Sequence, residues 1–214
     1  MHILNSKILA FLTMFVCSFC SFALVCSTEL TFNDEGGVRV VLEITIPDKT
    51  AGILRGLFLI GSEGMHQGPL DEEAVRRAFL EDDALWSLEE YNVYTMRDAR
   101  RVRIQAVSED AVKALDGSGL FKDILFTVNA ENGERCLKVA MPVPKPWEAT
   151  RAASARRLME MLDGMEVIFV VQAPDTMIET TGARESLERC RWHFGPEVFL
   201  QNSMPEIRAV WWSN

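Results

Sequence analysis

The sequence predicts an α+β domain, a mainly antiparallel β-sheet carrying two to three packed helices, and three stretches carry that prediction. Residues 27–47 alternate apolar and polar side chains on either side of Asn33-Asp34-Glu35-Gly36-Gly37. Glycine supplies the positive φ such a turn needs, so the stretch reads as a hairpin. Residues 120–143 place Asn132-Gly133 between two apolar runs, the strongest short-range hairpin signal. Between them, residues 69–80 open on Pro69, continue with Asp71-Glu72-Glu73 and bring apolar residues at helical spacing.

In chain order, the first hairpin pairs residues 27–32 with 38–47. Residues 51–68 are punctuated by glycine around Leu57-Phe58-Leu59-Ile60 and read as a buried strand followed by a loop. The helix of 69–80 turns Leu70, Ala74, Val75, Ala78 and Phe79 to one face, which is expected to meet the core. Strands follow at 91–96 and 101–107, where Val102, Ile104 and Ala106 alternate against Arg101, Arg103 and Gln105. A short helix is expected to be capped by Ser108, to hold Glu109 and Asp110 in its first turn, and to end at Leu115 before Gly117.

After the second hairpin, Pro142, Pro144 and Pro146 lead into a helix over 147–162. Ala152, Ala155, Leu158, Met159 and Leu162 form its apolar face, while Arg151, Arg156 and Arg157 stand beside Glu148, Glu160 and Asp163 on a solvated one. Residues 167–171 are apolar on both faces, as a central strand requires. Short strands are expected at 177–181, 190–194 and 207–212. With no internal repeat, low-complexity tract or long linker, residues 26–214 are expected to form one domain.

The start of the chain is different in kind. One lysine, Lys7, precedes an apolar run from Ile8 to Val25 interrupted only by Thr13, Ser18 and Ser21, and no acidic residue occurs before Glu29. This is the pattern of a secretory signal over residues 1–25. Three fates fit it: cleavage after Ala23, where Ser21-Phe22-Ala23 offers small residues; lipoprotein processing at Cys26; or retention as an uncleaved anchor. With Cys17 and Cys20 inside the signal, Cys26, Cys136 and Cys190 remain. If Cys26 carries lipid, Cys136 and Cys190 can form a disulfide; the other reading makes them separate buried thiols. Without Lys7 the formal charge becomes −10, which excludes nucleic acid as a partner and argues against electrostatic capture by anionic lipid.

Catalytic patterns are missing. Neither Gly61-Ser62-Glu63-Gly64 nor Gly117-Ser118-Gly119 has the spacing of a nucleophile elbow, and the glycines at 56, 61, 64 and 68 lack the Gly-Lys-Ser/Thr ending of a phosphate loop. His66 and His193 stand in no metal-ligand spacing, and His193 is expected on the polar face of a strand. The acids of Glu81-Asp82-Asp83 and Glu89-Glu90 are expected at the ends of surface helices. No catalytic residue, metal or cofactor is therefore assigned. The five tryptophans are expected mainly in the core, with Trp211-Trp212 as an alternative docking edge.

The order of these features resembles the LppM-like family of bacterial envelope lipoproteins. The residues that carry the likeness are Cys26 at the end of the signal, the strand at 167–173 with Pro174-Asp175, then Ile178, Thr181-Gly182 and Cys190-Arg191-Trp192, and a closing Ile207-Arg208-Ala209-Val210. Asp175 stands where the family has Gly, Thr181 where it has Asn, and Val25 where a small residue precedes the lipid-bearing Cys. The resemblance implies a curved antiparallel sheet, lipidation at Cys26, no catalytic residues, and an apolar or lipid ligand. The expected function is thus a non-enzymatic, membrane-anchored envelope lipoprotein. The alternatives are an assembly partner in an envelope complex, or a secreted hydrolase whose site is assembled from distant residues.

Overall fold

The first hairpin forms where its turn chemistry places it. Asn33 Oδ1 accepts the Gly37 N–H at 2.7 Å, the Asn33 N–H reaches the Gly37 carbonyl at 3.1 Å, and Gly36 turns the chain at φ +91°. The register set there pairs Phe32 with Val38 and Leu30 with Val40, so Leu30, Phe32, Val38, Val40, Leu42, Ile44 and Ile46 fall on one face.

The structure, a computed structural model, describes residues 25–48, 70–81, 85–117, 119–121, 123–129, 131, 133–139, 164–195, 197–198 and 205–212. Its strands are β1 (Val25–Phe32), β2 (Val38–Pro47), β3 (Ser87–Thr95), β4 (Ala99–Ser108), β5 (Ile124–Val128), β6 (Glu134–Val139), β7 (Glu166–Gln172), β8 (Met177–Thr180), β9 (Ala183–Arg184), β10 (Arg189–Phe194) and β11 (Ile207–Trp212). Two α-helices lie among the described residues, α1 (Glu72–Glu81) and the single turn α2 (Ala111–Ala114). The strand expected within 51–68 and the helix expected at 147–162 lie outside them.

The strands make two sheets instead of one: seven strands in the order β3-β4-β2-β1-β7-β10-β9, and four in the order β5-β6-β11-β8. All pairings are antiparallel except β1 with β7, which is parallel, so the larger sheet is mixed. The apolar character of β7 on both faces is explained by that place. Phe169 and Val171 face the core, while Val170, only 2% exposed, lies on the other face between the register partners Glu29 and Arg191.

Two local expectations are corrected. Helix α2 is capped by Asp110, whose side chain accepts the Lys113 N–H at 3.0 Å. Ser108 cannot cap it because its backbone is still paired with Val38 in the sheet. The acids Glu89 and Glu90 belong to β3, not to a helix end. A register shift between Leu88 and Glu90 marks a bulge there, and the two carboxylates meet Gln105 at 2.7 Å and Arg103 at 3.4 Å across the sheet.

The core lies between the sheets and beneath α1, whose Ala74, Val75, Ala78 and Phe79 are buried as their spacing predicts. Phe32 of the larger sheet packs against Phe126 and Trp211 of the smaller one, with ring centroids 4.8 and 4.9 Å away. Trp86, Trp192 and Trp211 are all buried, and Trp212 is half-exposed at the edge. The reading of these tryptophans as core anchors therefore holds; Trp147 lies outside the described residues.

Candidate functional site

Cys26 stands second in β1, between Ile44 of β2 and Val167 of β7. Alternation along β1 puts it on the same face as Thr28, Leu30 and Phe32, and its half-buried side chain packs at the margin of the core. Whatever is attached to Cys26 thus starts at one end of the larger sheet, on its inner side. Residues 1–24, which hold the apolar run, lie outside the described residues.

The other two cysteines are on different sheets, Cys136 in β6 and Cys190 in β10, and both are free thiols in the structure. Cys190 is fully buried, and burial pushes its thiol up. Cys136 is half-buried on the outer face of the smaller sheet, opposite Val210. There Arg208 is held above its ordinary range by hydrogen bonding to Cys136 and by Glu179, which it meets at 2.7 Å.

Four of the residues that carried the family resemblance, Thr181, Gly182, Trp192 and Arg208, come together at one corner. The Trp192 indole N–H donates to Thr181 Oγ1 at 3.0 Å, the Thr181 hydroxyl donates to the Glu206 carbonyl at 2.7 Å, and the Arg208 N–H donates back to Thr181 Oγ1 at 3.0 Å. Gly182 lies against the Trp192 ring so closely that a Cβ there would stand 2.6 Å from Cε2. Thr181 thereby joins β10 of one sheet to β11 of the other, a structural task for the motif.

The outer face of the larger sheet is a lattice of ion pairs. Arg103 bonds Glu43 and approaches Glu90, Arg189 meets Glu29 at 2.6 Å and Glu185 at 2.8 Å, and Arg191 meets Glu185 at 2.9 Å. His193 is exposed on the polar face of β10, as expected, with Nε2 3.5 Å from Glu166. Among the described residues no three His, Cys, Asp or Glu side chains are grouped to hold a metal ion. No described helix is long and apolar enough to cross a membrane. Within the core, the indole N–H groups of Trp86 and Trp211 have no hydrogen-bond partner among the described residues.

One feature of this face escaped the sequence reading. An open hollow of about 430 Å³ is lined by Glu43, Tyr94, Met96, Arg101 and Arg103 at the end of the sheet where β1 begins. Arg101 and Arg103 were legible as the polar side of an alternating strand. Their neighbours Tyr94 and Met96 were not, because the register of β3 on β4 assembles the hollow.

No family model matches the chain, and no curated protein does. Among solved structures, the chain is similar to the folded domain of the Mycobacterium tuberculosis protein LppM, determined by NMR, with a TM-score of 0.48 and 13% identity over 90% of this chain and 91% of that one.

Proposed function

We propose that the protein is a non-enzymatic envelope lipoprotein, anchored through Cys26, whose apolar interior accepts a lipid-like ligand. The observation that carries the reading is the junction at residue 25. The exported-type apolar run passes directly into β1, an internal strand paired on both sides, with Cys26 as its second residue. No spacer separates anchor from sheet, so an acyl chain on Cys26 holds the domain against the bilayer by one of its sheet ends. The two unpartnered indole N–H groups support the ligand. An apolar molecule bearing an ester or carboxyl oxygen would supply the acceptor that a buried N–H otherwise lacks, a deficit of roughly 1–3 kcal/mol.

The intact mass of the protein taken from its host's membranes tests the anchor. A mass beginning at Cys26 with added acyl chains, absent from Cys26→Ala, is the expected result. A lipid-free mass beginning at Leu24 would show a secreted protein instead. Lipid extracted from the same preparation and identified by mass spectrometry tests the ligand; a preparation free of bound lipid but holding a stoichiometric protein partner would favour the assembly role.

A further inference from the structure

We infer that the tip of the β3–β4 hairpin is a second membrane contact, seated on a bilayer surface rich in anionic headgroups. The inference rests on the anchoring proposed above and specifies which part of the domain the bilayer meets.

Position comes first. Val25 pairs with Thr45, Thr45 with Arg101, and Arg101 with Tyr94, so one rung of the sheet runs from the start of β1 to the hairpin tip. Three strand spacings separate the two ends of that rung, about 14 Å. The apolar run therefore enters the domain at the end where the hairpin turns, and a bilayer holding that run or an acyl chain on Cys26 faces both.

The chemistry of the tip differs from the rest of the outer face. Tyr94 and Met96 are 47% and 43% exposed, at the end of an edge strand that otherwise carries polar groups outward. The turn itself is tight, with the Met96 N–H donating to the Ala99 carbonyl at 2.8 Å. Arg97, Arg100 and Arg101 surround it. Arg100 lies 3.8 Å from Asp48, Asp98 sits on the tip itself, and Glu43 is engaged by Arg103. Among the described residues neither Arg97 nor Arg101 has a carboxylate partner, whereas Arg103, Arg189, Arg191 and Arg208 each have one.

Unmatched guanidinium groups beside an exposed tyrosine and methionine are the combination that settles at a headgroup layer. The cations meet phosphates, and the amphipathic side chains reach the acyl boundary. The overall charge, −10 without Lys7, opposes capture of the free domain by anionic lipid, so the contact depends on the tether. At physiological salt the field is screened within about 8 Å, so a tethered tip responds to its own arginines.

The full chain reconstituted into vesicles tests the inference. Flotation with neutral phosphatidylcholine vesicles reads the anchor alone. Amide exchange across residues 96–99, measured by mass spectrometry, reads the tip. Exchange should slow by about 25-fold when half the lipid is phosphatidylglycerol, on the order of a factor of five for each of Arg97 and Arg101, and recover in high salt. The double variant Arg97→Gln, Arg101→Gln should float equally well and lose the slowing. Flotation with unchanged exchange overturns the docking and leaves the anchor standing. Failure to float overturns both.

Discussion

At the scale of single residues, Cys136 and Cys190 have been given opposite chemistry by their surroundings. Cys136 lies half-exposed on the outer face of the smaller sheet, where a reagent can reach its sulfur. Cys190 is sealed in the core, and its raised thiol stays protonated at neutral pH. Iodoacetamide at pH 8 should therefore alkylate Cys136 in the native protein while Cys190 reacts only in denaturant. Tryptic mapping should show rates apart by at least about a hundredfold, the factor that roughly 3 kcal/mol of local opening provides. Silence at both sites that a reductant abolishes would instead reveal a disulfide joining them.

At the scale of elements, two glycines separate backbone strain from packing. Gly36 has φ +91° and open space where a Cβ would project, so Gly36→Ala should cost only the left-handed penalty, about 1 kcal/mol. Gly182 is pressed against Trp192, whose indole is fixed by Thr181, and Gly182→Ala should cost up to about 3 kcal/mol through overpacking. Urea midpoints of the two variants compare them directly; equal losses would mean that Trp192 yields. The contrast also explains which elements were legible. The hairpin at Asn33–Gly37 and helix α1 announce themselves through neighbours in sequence, by turn residues, acids at the first turn and periodicity. The parallel pairing of β1 with β7 has no local signal, since the two strands meet from opposite ends of the chain. Ser108 misled for the same reason: its cross-strand partner Val38 keeps it in β4 and leaves the capping to Asp110.

At the scale of the whole molecule, one core joins the two sheets, and Trp211 lies at the contact between them. It is fully buried and touches both Phe32 and Phe126, with the latter's centroid 5.6 Å away. Trp211→Ala should lose about 3–5 kcal/mol, a large part of the stability of a domain this size, whereas Trp212→Ala at the half-exposed neighbour should lose less than about 1 kcal/mol. Denaturant titrations of both decide it, and similar losses would contradict the asymmetry. The candidate site shows a matching division. Cys26 could be picked out from the composition shift beside it, but the hairpin tip could not. Arg97 and Arg101 gain meaning only from the carboxylates they do not meet and from the rung that aligns them with Val25.

The pairing of β7 against β1 also imposes an order on biogenesis. A chain emerging from a ribosome or a translocation channel exposes β1 first, and β2 and β4 can complete one side of the sheet soon after. The other edge of β1 has to wait for Glu166–Gln172. Until those residues arrive, the strand that follows the apolar run presents an unpaired backbone, a contact of high sequence separation that forms late and slowly. Closure of the sheet thus reports that most of the polypeptide has already been delivered, and any factor that guards newly delivered chains would find its binding surface at that open edge.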